Sequence, residues 1–379
     1  MIHTVLEDDS IILRPTSVEV DLKAMEHNVR QVRSRSGSAR IMAIVKANAY
    51  GHGLLRTSQE LLRMGVDELG VAFLEEGIAL RKAGINEPIL VLGGMIGNQV
   101  THYLEYDLQI TASSLFKLQQ IEEVAAAAGK KAKIHIKVDT GMRRIGIREE
   151  NAAKLFDAAL ASEHVELAGV FSHLASSHAK DKDFTHRQLE RFLNVLEFFP
   201  RHGVPMPVRH IANSGAVLQH PESILDMVRP GIMLYGVYPS PEVERPMELL
   251  PTFTFKTRVV FFKVVEQGNP IGYDGTWTAP KESRVITLPV GYGDGYMRAL
   301  SNKADVLLGG KRHPVAGSIS MDQCMVNIGW DSAYVDDEVV LIGGQGEETI
   351  TCEELAALCG TIPYEILTNI NTRVPRRYV

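Results

Sequence analysis

The sequence predicts an α/β protein, an N-terminal (β/α)8 barrel of the TIM type followed by a C-terminal mainly-β domain. Three observations carry this expectation. Eight short β-rich runs recur between residues 41 and 236, each followed by a stretch of helical periodicity. The rhythm stops near residue 240, at the proline-rich YPSPEVERP. Beyond it lie long β runs joined by glycine-containing turns.

The eight runs are IMAIV, ELGVA, PILVLG, LQITA, KIHIKVD, LAGVFSH, VRHIANS and MVRPGIMLYG. Segments between them, such as FLEEGIALRKAG and RQLERFLNVLEFF, place apolar residues at i, i+3 and i+4, and glycine closes several. Strict alternation implies parallel pairing through right-handed crossovers. A doubly wound open sheet would give the same alternation, but eight units point to a barrel. In the second domain TFKTRVVFFKVV, RVITLPVGYGDGY, ADVLLGG, HPVAGSISMDQCMVNIG and DEVVLIGG are the strand candidates. One helix, CEELAALCG, interrupts them, with Thr351 and Glu354 at capping-box spacing. The expected boundaries are 12–242 for the barrel and 243–379 for the β domain, with residues 1–11 free to join the latter.

Composition narrows the partners. Forty basic residues against 46 acidic ones give a net charge of −6, so no basic field exists for nucleic acid or anionic lipid, and a small molecule is the expected partner. MIHTVLEDDS is acidic and lacks an apolar core, and no run approaches the ~20 apolar residues of a membrane span. A cytoplasmic protein is therefore expected. Cys324, Cys352 and Cys359 are odd in number and lack metal-ligand spacing, so reduced, structural thiols and no metal are expected.

In a barrel, catalytic groups sit where strands end, which singles out the polar residues just after each apolar run. Lys46 follows IMAIV, with Tyr50, Gly51 and Gly53 close behind. Thr140, Gly141 and Arg144 follow KIHIKVD; LAGVFSH ends on His173, and VRHIANS ends on Asn213 and Ser214. The eighth run holds Arg229, Pro230, Gly231 and Ile232. A lysine at such a place is commonly solvated, but a poorly hydrated pocket would lower its pKa and make the neutral amine a nucleophile or base. Ser214 and the Gly231–Ile232 backbone offer donors to a phosphate. Together these residues describe a phosphorylated cofactor that needs an amine.

The segments VKANAYGHG, KVDTGMRRIG, FSHLA, ANSGA, VRPGIMLYG, IGYDGTW, LPVGYGDGY, SMDQC and RVPR, in this order, resemble the motifs of the bacterial alanine racemase family over essentially the whole chain. The resemblance implies a barrel carrying pyridoxal 5'-phosphate (PLP), a β domain, and a head-to-tail homodimer whose active sites are shared between subunits. It implies that Lys46 holds PLP as a Schiff base and that Tyr50, Ser214, Gly231 and Ile232 bind its phosphate. Leu92 and Asn213 match further cofactor-contacting positions, Arg229 the arginine facing the pyridine nitrogen, and His173 the histidine beside the ring. Arg144 matches a contact to the cofactor O3′ and the substrate carboxylate. Tyr273 matches the second catalytic base, supplied by the other protomer; by its own sequence context it would be a loop anchor. Met321 and Asp322 match a substrate-binding loop, and Tyr292 a gate to the pocket. Lys137 matches a position that is a carbamylated lysine in some members; a strand-end salt bridge is the alternative.

The implied reaction is racemisation of L- and D-alanine, in which one base removes the Cα proton and another, on the opposite face, returns it. Lys46 and Tyr273 are those bases, and a relay through His173 to Arg229 would stabilise the phenolate. Two positions depart from the family pattern. Thr372 stands where a tyrosine is common, leaving room for a hydroxymethyl group and so for serine as a second substrate. Ser318 stands where an arginine is common. Ornithine- and diaminopimelate-type decarboxylases share a barrel lysine and a β domain but resemble one another in using an acid at the ring nitrogen, which Arg229 contradicts. A PLP-carrier barrel lacks the β domain, and a Schiff-base sugar-phosphate barrel would lack the PLP absorbance. Whether D-alanine serves wall synthesis or is broken down stays open.

Overall fold

The structure, a computed structural model, describes residues 13–379. Its contacts separate two units: Ala24–Ala49 with Gly53–Leu250, and Tyr50–His52 and Pro251–Val379 with residues 13–23. The expectation for residues 1–11 lies outside the described residues.

Strand β1 (Ser17–Val20) belongs to the second unit. The first unit is built on β2 (Arg40–Ile44), β3 (Glu68–Val71), β4 (Ile89–Val91), β5 (Gln109–Ala112), β6 (Ala132–Asp139), β7 (Ile147–Arg148), β8 (Val165–Phe171), β9 (Val208–His210) and β10 (Met227–Val228). All eight sequence-derived runs contain a strand, and β7 is a short extra pairing on β6. The parallel order is β10-β2-β3-β4-β5-β6-β8-β9. Between β9 and β10 the ring is nearly closed by two backbone hydrogen bonds, Asp226 N to Arg209 O (3.2 Å) and Arg229 N to Ala212 O (2.8 Å). The bidentate pair of Arg209 with Asp226 braces the same seam. Of MVRPGIMLYG only Met227–Val228 is strand; Ile232–Tyr235 is a 3-10 turn, because Pro230 has no N–H to extend a ladder.

Close packing inside the barrel depends on two missing side chains. A Cβ on Gly70 would lie 2.6 Å from Ile44 Cδ1, and one on Gly169 would lie 2.3 Å from His135 Nδ1. The second contact matters because the interior holds a polar pair: His135 meets His210 edge-on at 5.0 Å, and Phe171 stacks on His210 at 4.9 Å.

In the second unit β1 pairs antiparallel with Phe253–Arg258 and parallel with Arg376–Tyr378, so the two ends of the chain join one sheet. A separate antiparallel sheet contains Phe261–Val265, Ser283–Leu288 and Cys324–Gly329. Two helices occur here where the sequence suggested one. Cys352–Cys359 starts at Thr351, whose hydroxyl accepts from Glu354 N (3.1 Å), but the reciprocal half of the box does not form because the Glu354 carboxylate binds Arg312. The second helix, Pro363–Asn369, opens on a proline at its first turn, where no backbone donor is needed. Among the described residues there is no disulfide, and no helix is long and apolar enough to cross a membrane.

Candidate active site

Lys46 stands at the C-terminal end of β2 and begins an unusual turn. Ala47, Asn48, Ala49 and Tyr50 all take positive φ, between 51° and 57°. A left-handed turn costs L-residues roughly 1–2 kcal/mol each, so the surrounding structure must hold it. Glu76, in the first turn of the helix Leu74–Lys82 that follows β3, does so: its carboxylate accepts from Ala47 N (2.6 Å), Ala72 N (2.8 Å) and Phe73 N (3.2 Å). Asn48 closes the other side, its side chain accepting from Leu54 N (2.8 Å) and its carbonyl from Gly53 N (2.9 Å). The lysine is thus aimed by a fixed backbone rather than by a flexible loop. Burial, then the charge of Arg144, lowers its pKa, with Glu76 opposing them.

Around this amine the first unit gathers cations. Burial of His173 and the charges of Arg229, Lys137, Arg144 and Lys46 together hold that imidazole neutral, with its pKa far below the usual value. Lys137, Asp139, Arg144, Ser172 and His173 line one concavity. Lys137 is held at about 8 by burial and then by Arg144, Arg229 and Lys46. Its ammonium faces the Phe171 ring at 5.3 Å, and among the described residues no carboxylate lies within ion-pair distance of it. Four cationic side chains therefore meet Asp139 and Glu76 as the acids that act on them, a field that calls for anionic ligands.

Arg229 is buried and tightly held. It donates to His210 Nδ1 (2.9 Å), Ser172 O (2.7 Å), Ile211 O (3.2 Å) and His173 Nδ1 (3.4 Å). Burial presses its pKa toward about 9, which leaves it charged at neutral pH. A guanidinium has only donors, and this fixes the tautomers around it. His210 must accept at Nδ1 and carry its proton on Nε2, which then donates to His135 Nδ1 (2.8 Å). His173 likewise accepts at Nδ1 and presents Nε2–H. Of the five guanidinium N–H groups, Nε–H and one on the NH1 nitrogen have no acceptor among the described residues.

After β9, beside the seam with β10, Asn213 caps the short helix Ser214–Gln219, accepting from Ala216 N (3.1 Å) and Ser177 Oγ (2.6 Å) and donating to Leu174 O (3.2 Å). Both acceptor positions of its amide oxygen and one of its two N–H donors are engaged in holding the loop. Ser214 Oγ accepts from Gly231 N (2.9 Å) and, at 3.5 Å, from Met233 N, which leaves its hydroxyl hydrogen available. Ile232 opens the 3-10 turn, so its N–H has no acceptor within that turn. Leu92 directly follows β4, its Cδ1 lying 3.3 Å from the point a Gly70 Cβ would occupy.

The second unit holds the remaining sequence-derived residues. Tyr50 is buried, and that burial raises its phenol pKa; its ring lies 6.0 Å from Tyr364. Tyr273 sits in a turn between the paired strands Pro270–Ile271 and Trp277–Thr278 and is 70% exposed. Ser318, the departure from the arginine pattern, binds the Tyr273 carbonyl (3.4 Å) and the Thr276 hydroxyl (3.2 Å), and so anchors that turn. Tyr292, Met321 and Asp322 are drawn together by backbone bonds from Tyr292 N to Ser320 O (3.0 Å) and Gly293 N to Met321 O (2.8 Å). Arg373, of the RVPR segment, joins Asp322 (2.8 Å) to the fully buried carboxylate of Asp294 (2.7 Å), which Arg14 also grips at 2.6 Å. Thr372 beside it is exposed.

Five positioning residues were not singled out from the sequence: Glu76, His135, Ser172, Gln188 and His210. Gln188 accepts from Ala175 N (2.8 Å) and donates to His173 O (3.1 Å), fixing the loop that carries His173. His135 carries a signal, since it stands between two isoleucines in a buried stretch of its strand; His210 ends the short strand Val208–His210 and carries little. Glu76, in the first turn of a helix, carries no such signal.

A parallel barrel whose strand ends carry a desolvated lysine among unpaired cations, with a β unit on the same chain, has the composition of an amino-acid racemase of the barrel type. Residues 20–239 match the family described as alanine racemase, N-terminal domain, and residues 252–378 match alanine racemase, C-terminal domain. An alanine racemase of Symbiobacterium thermophilum is 44% identical, over 97% of this chain and 97% of its own length. The solved alanine racemase of Clostridium difficile 630 superposes with a TM-score of 0.92 at 35% identity, covering 97% of this chain and 96% of that one. A histidine racemase from Leuconostoc mesenteroides has the same fold, with a TM-score of 0.90 and 28% identity over 97% and 99% of the two chains. The chain belongs to the alanine racemase family, and it is an enzyme of the racemase class.

Proposed function

We propose that this enzyme interconverts L- and D-alanine in the cytoplasm, with PLP bound through Lys46 and with active sites shared in a homodimer. The observation that carries this reading is the desolvated Lys46 amine set among Lys137, Arg144 and Arg229 without matching carboxylates. The donors present fit the cofactor. Ser214 has a free hydroxyl hydrogen and Ile232 a free N–H for a phosphate, and buried Arg229 keeps two N–H donors for a ring nitrogen.

When bound, PLP makes the substrate Cα–H acidic by accepting its electrons. The chain's own residues do the rest. Lys46, whose burial favours the neutral amine, takes or returns the proton on one face; Tyr273 of the partner subunit serves the other. A phenol acts as a base only if its anion is stabilised, and His173 Nε2–H, held by the charged Arg229 at Nδ1, is the donor for that. Arg144 takes the substrate carboxylate. Tyr50 completes the phosphate cradle and Gly231 supports it by giving its N–H to Ser214 Oγ, Leu92 and Asn213 shape the cofactor's surroundings, Met321 and Asp322 form the substrate loop, and Tyr292 narrows the entrance. Lys137, neutral at mildly alkaline pH and without an acid partner, is suited to react with carbon dioxide, and the resulting carbamate would orient Arg144.

Borohydride reduction of the PLP-loaded protein, followed by peptide mass analysis, tests the lysine assignment. We expect the cofactor on Lys46 and loss of D/L-alanine interconversion in Lys46→Ala. Racemisation undiminished in that variant, or carbon dioxide released from the amino acid instead, would sink the proposal. Serine is proposed as a second substrate, on the exposed Thr372 and on the occurrence of a histidine racemase with this fold. Thr372→Tyr should lower the serine-to-alanine rate ratio; an unchanged ratio would refute this part.

A further inference from the structure

Three side chains of the barrel unit that the chemistry above does not use converge away from Lys46 in sequence and in element. His186 lies on the helix Asp183–Leu196, His220 directly follows the helix Ser214–Gln219, and Glu222 lies in the turn Pro221–Ser223. Glu222 Oε1 is 3.3 Å from His186 Nε2 and 3.2 Å from His220 Nδ1. The donor atoms of all three residues lie within 4.8 Å of one another. Bonds of ~2.0–2.2 Å around a tetrahedral ion place its ligands about 3.3–3.6 Å apart, so both separations are close to the shorter tetrahedral edges.

We propose that His186, His220 and Glu222 form a zinc site that staples the helix Asp183–Leu196 to the segment following Ser214–Gln219. Two imidazoles and a carboxylate suit a borderline divalent ion such as zinc, whereas magnesium and calcium require oxygen ligands. His220 is fully buried and its Nε2 has no hydrogen-bond partner among the described residues, so Nδ1 alone makes the ring's polar contact, and it faces Glu222. Burial keeps this imidazole neutral, the form that ligates, although the Glu222 hydrogen bond pulls the other way. His186 meets His220 edge-on at 5.6 Å, so both rings converge on the carboxylate. The nearby Lys182 is ion-paired to Glu244 at 2.5 Å, which offsets its repulsion of a cation. His186 and Glu222 are about half exposed, leaving a path for the ion and room for a water as fourth ligand.

The test uses the full-length holoenzyme, freed of metal with a chelator and titrated with zinc in competition with a chromophoric chelator, alongside its thermal melt. The wild type should bind zinc at this site and melt at a higher temperature with zinc than without. His186→Gln and Glu222→Gln, both at half-exposed positions, should weaken that binding at least about tenfold and lose the zinc-dependent shift. Magnesium and calcium at the same concentration should shift nothing. Equal zinc affinity and equal melting shifts in wild type and both variants would overturn the proposal, as would no zinc binding at all. Alanine racemisation is not the readout, so failure here leaves the functional reading untouched.

Discussion

By having no side chain, Gly169 fixes the proton shared by His135 and His210 on the two strands that flank its own. A Cβ there would stand 2.3 Å from His135 Nδ1 and 2.6 Å from its Cε1, so His135 could not keep the place from which it accepts the His210 proton. That acceptance is what lets His210 offer Nδ1 to Arg229. Gly169→Ala is expected to cost about 1–3 kcal/mol of stability, as overpacking does, read from urea unfolding, and to slow racemisation more than Gly344→Ala, where φ is negative and the nearest atom to an added Cβ, Thr349 Oγ1, would lie at an ordinary 3.5 Å. Equal effects of the two substitutions would show that the histidine pair does not position the arginine. Lys137, kept as the free amine in carbon-dioxide-free buffer, gives a second expectation, with a defined sign. Its pKa falls from 10.5 to about 8 on folding, chiefly through burial, so between those values the unfolded chain holds the extra proton. Stability must then rise with pH across that window, by at most about 3.5 kcal/mol. Lys137→Met should remove this rise when unfolding free energies are compared from pH 8 to 10.5.

The turn Lys46–Tyr50 shows what sequence periodicity could and could not deliver. Each of the eight barrel strands was legible, because a strand buried on both faces is a run of apolar residues bounded by glycine or polar positions. KANAY, by contrast, looks like the start of a right-handed helix. It winds left-handed because Glu76, 29 residues on and in the first turn of the helix Leu74–Lys82, captures the Ala47 N–H. A non-local contact of that kind leaves no local pattern. The helix Pro363–Asn369 escaped notice for a different reason, since seven residues give too few turns for a period to emerge. Two substitutions test the turn. Ala47 is exposed at φ 53°, so Ala47→Gly should relieve strain and stabilise the protein by about 1 kcal/mol, seen as a raised melting temperature. Glu76→Gln replaces a charged acceptor of three backbone N–H groups and should destabilise by roughly 1.5–3 kcal/mol. A neutral result for Glu76→Gln would mean that the turn is held by Asn48 alone.

At the scale of the whole molecule, the residues assigned to one reaction divide between two kinds of setting. Lys46, His173 and Arg229 are enclosed by the barrel unit, and their placement follows from strand ends that the sequence marks directly. Tyr273 stands 70% exposed on a turn of the β unit, and only the family resemblance distinguished it from a loop anchor. No local pattern could, because the partner that would make an exposed tyrosine catalytic is not nearby in the chain. If Tyr273 serves the barrel of a second copy, two inactive variants must repair each other. Lys46→Ala and Tyr273→Phe homodimers should each fail to racemise alanine. When the two are dissociated, mixed in equal amounts and reassembled, half the dimers are mixed, and each mixed dimer has one intact site. Activity should therefore return to about a quarter of the wild-type level. Mixtures that stay inactive, under conditions where mass spectrometry detects the mixed dimer, would place both bases on one chain.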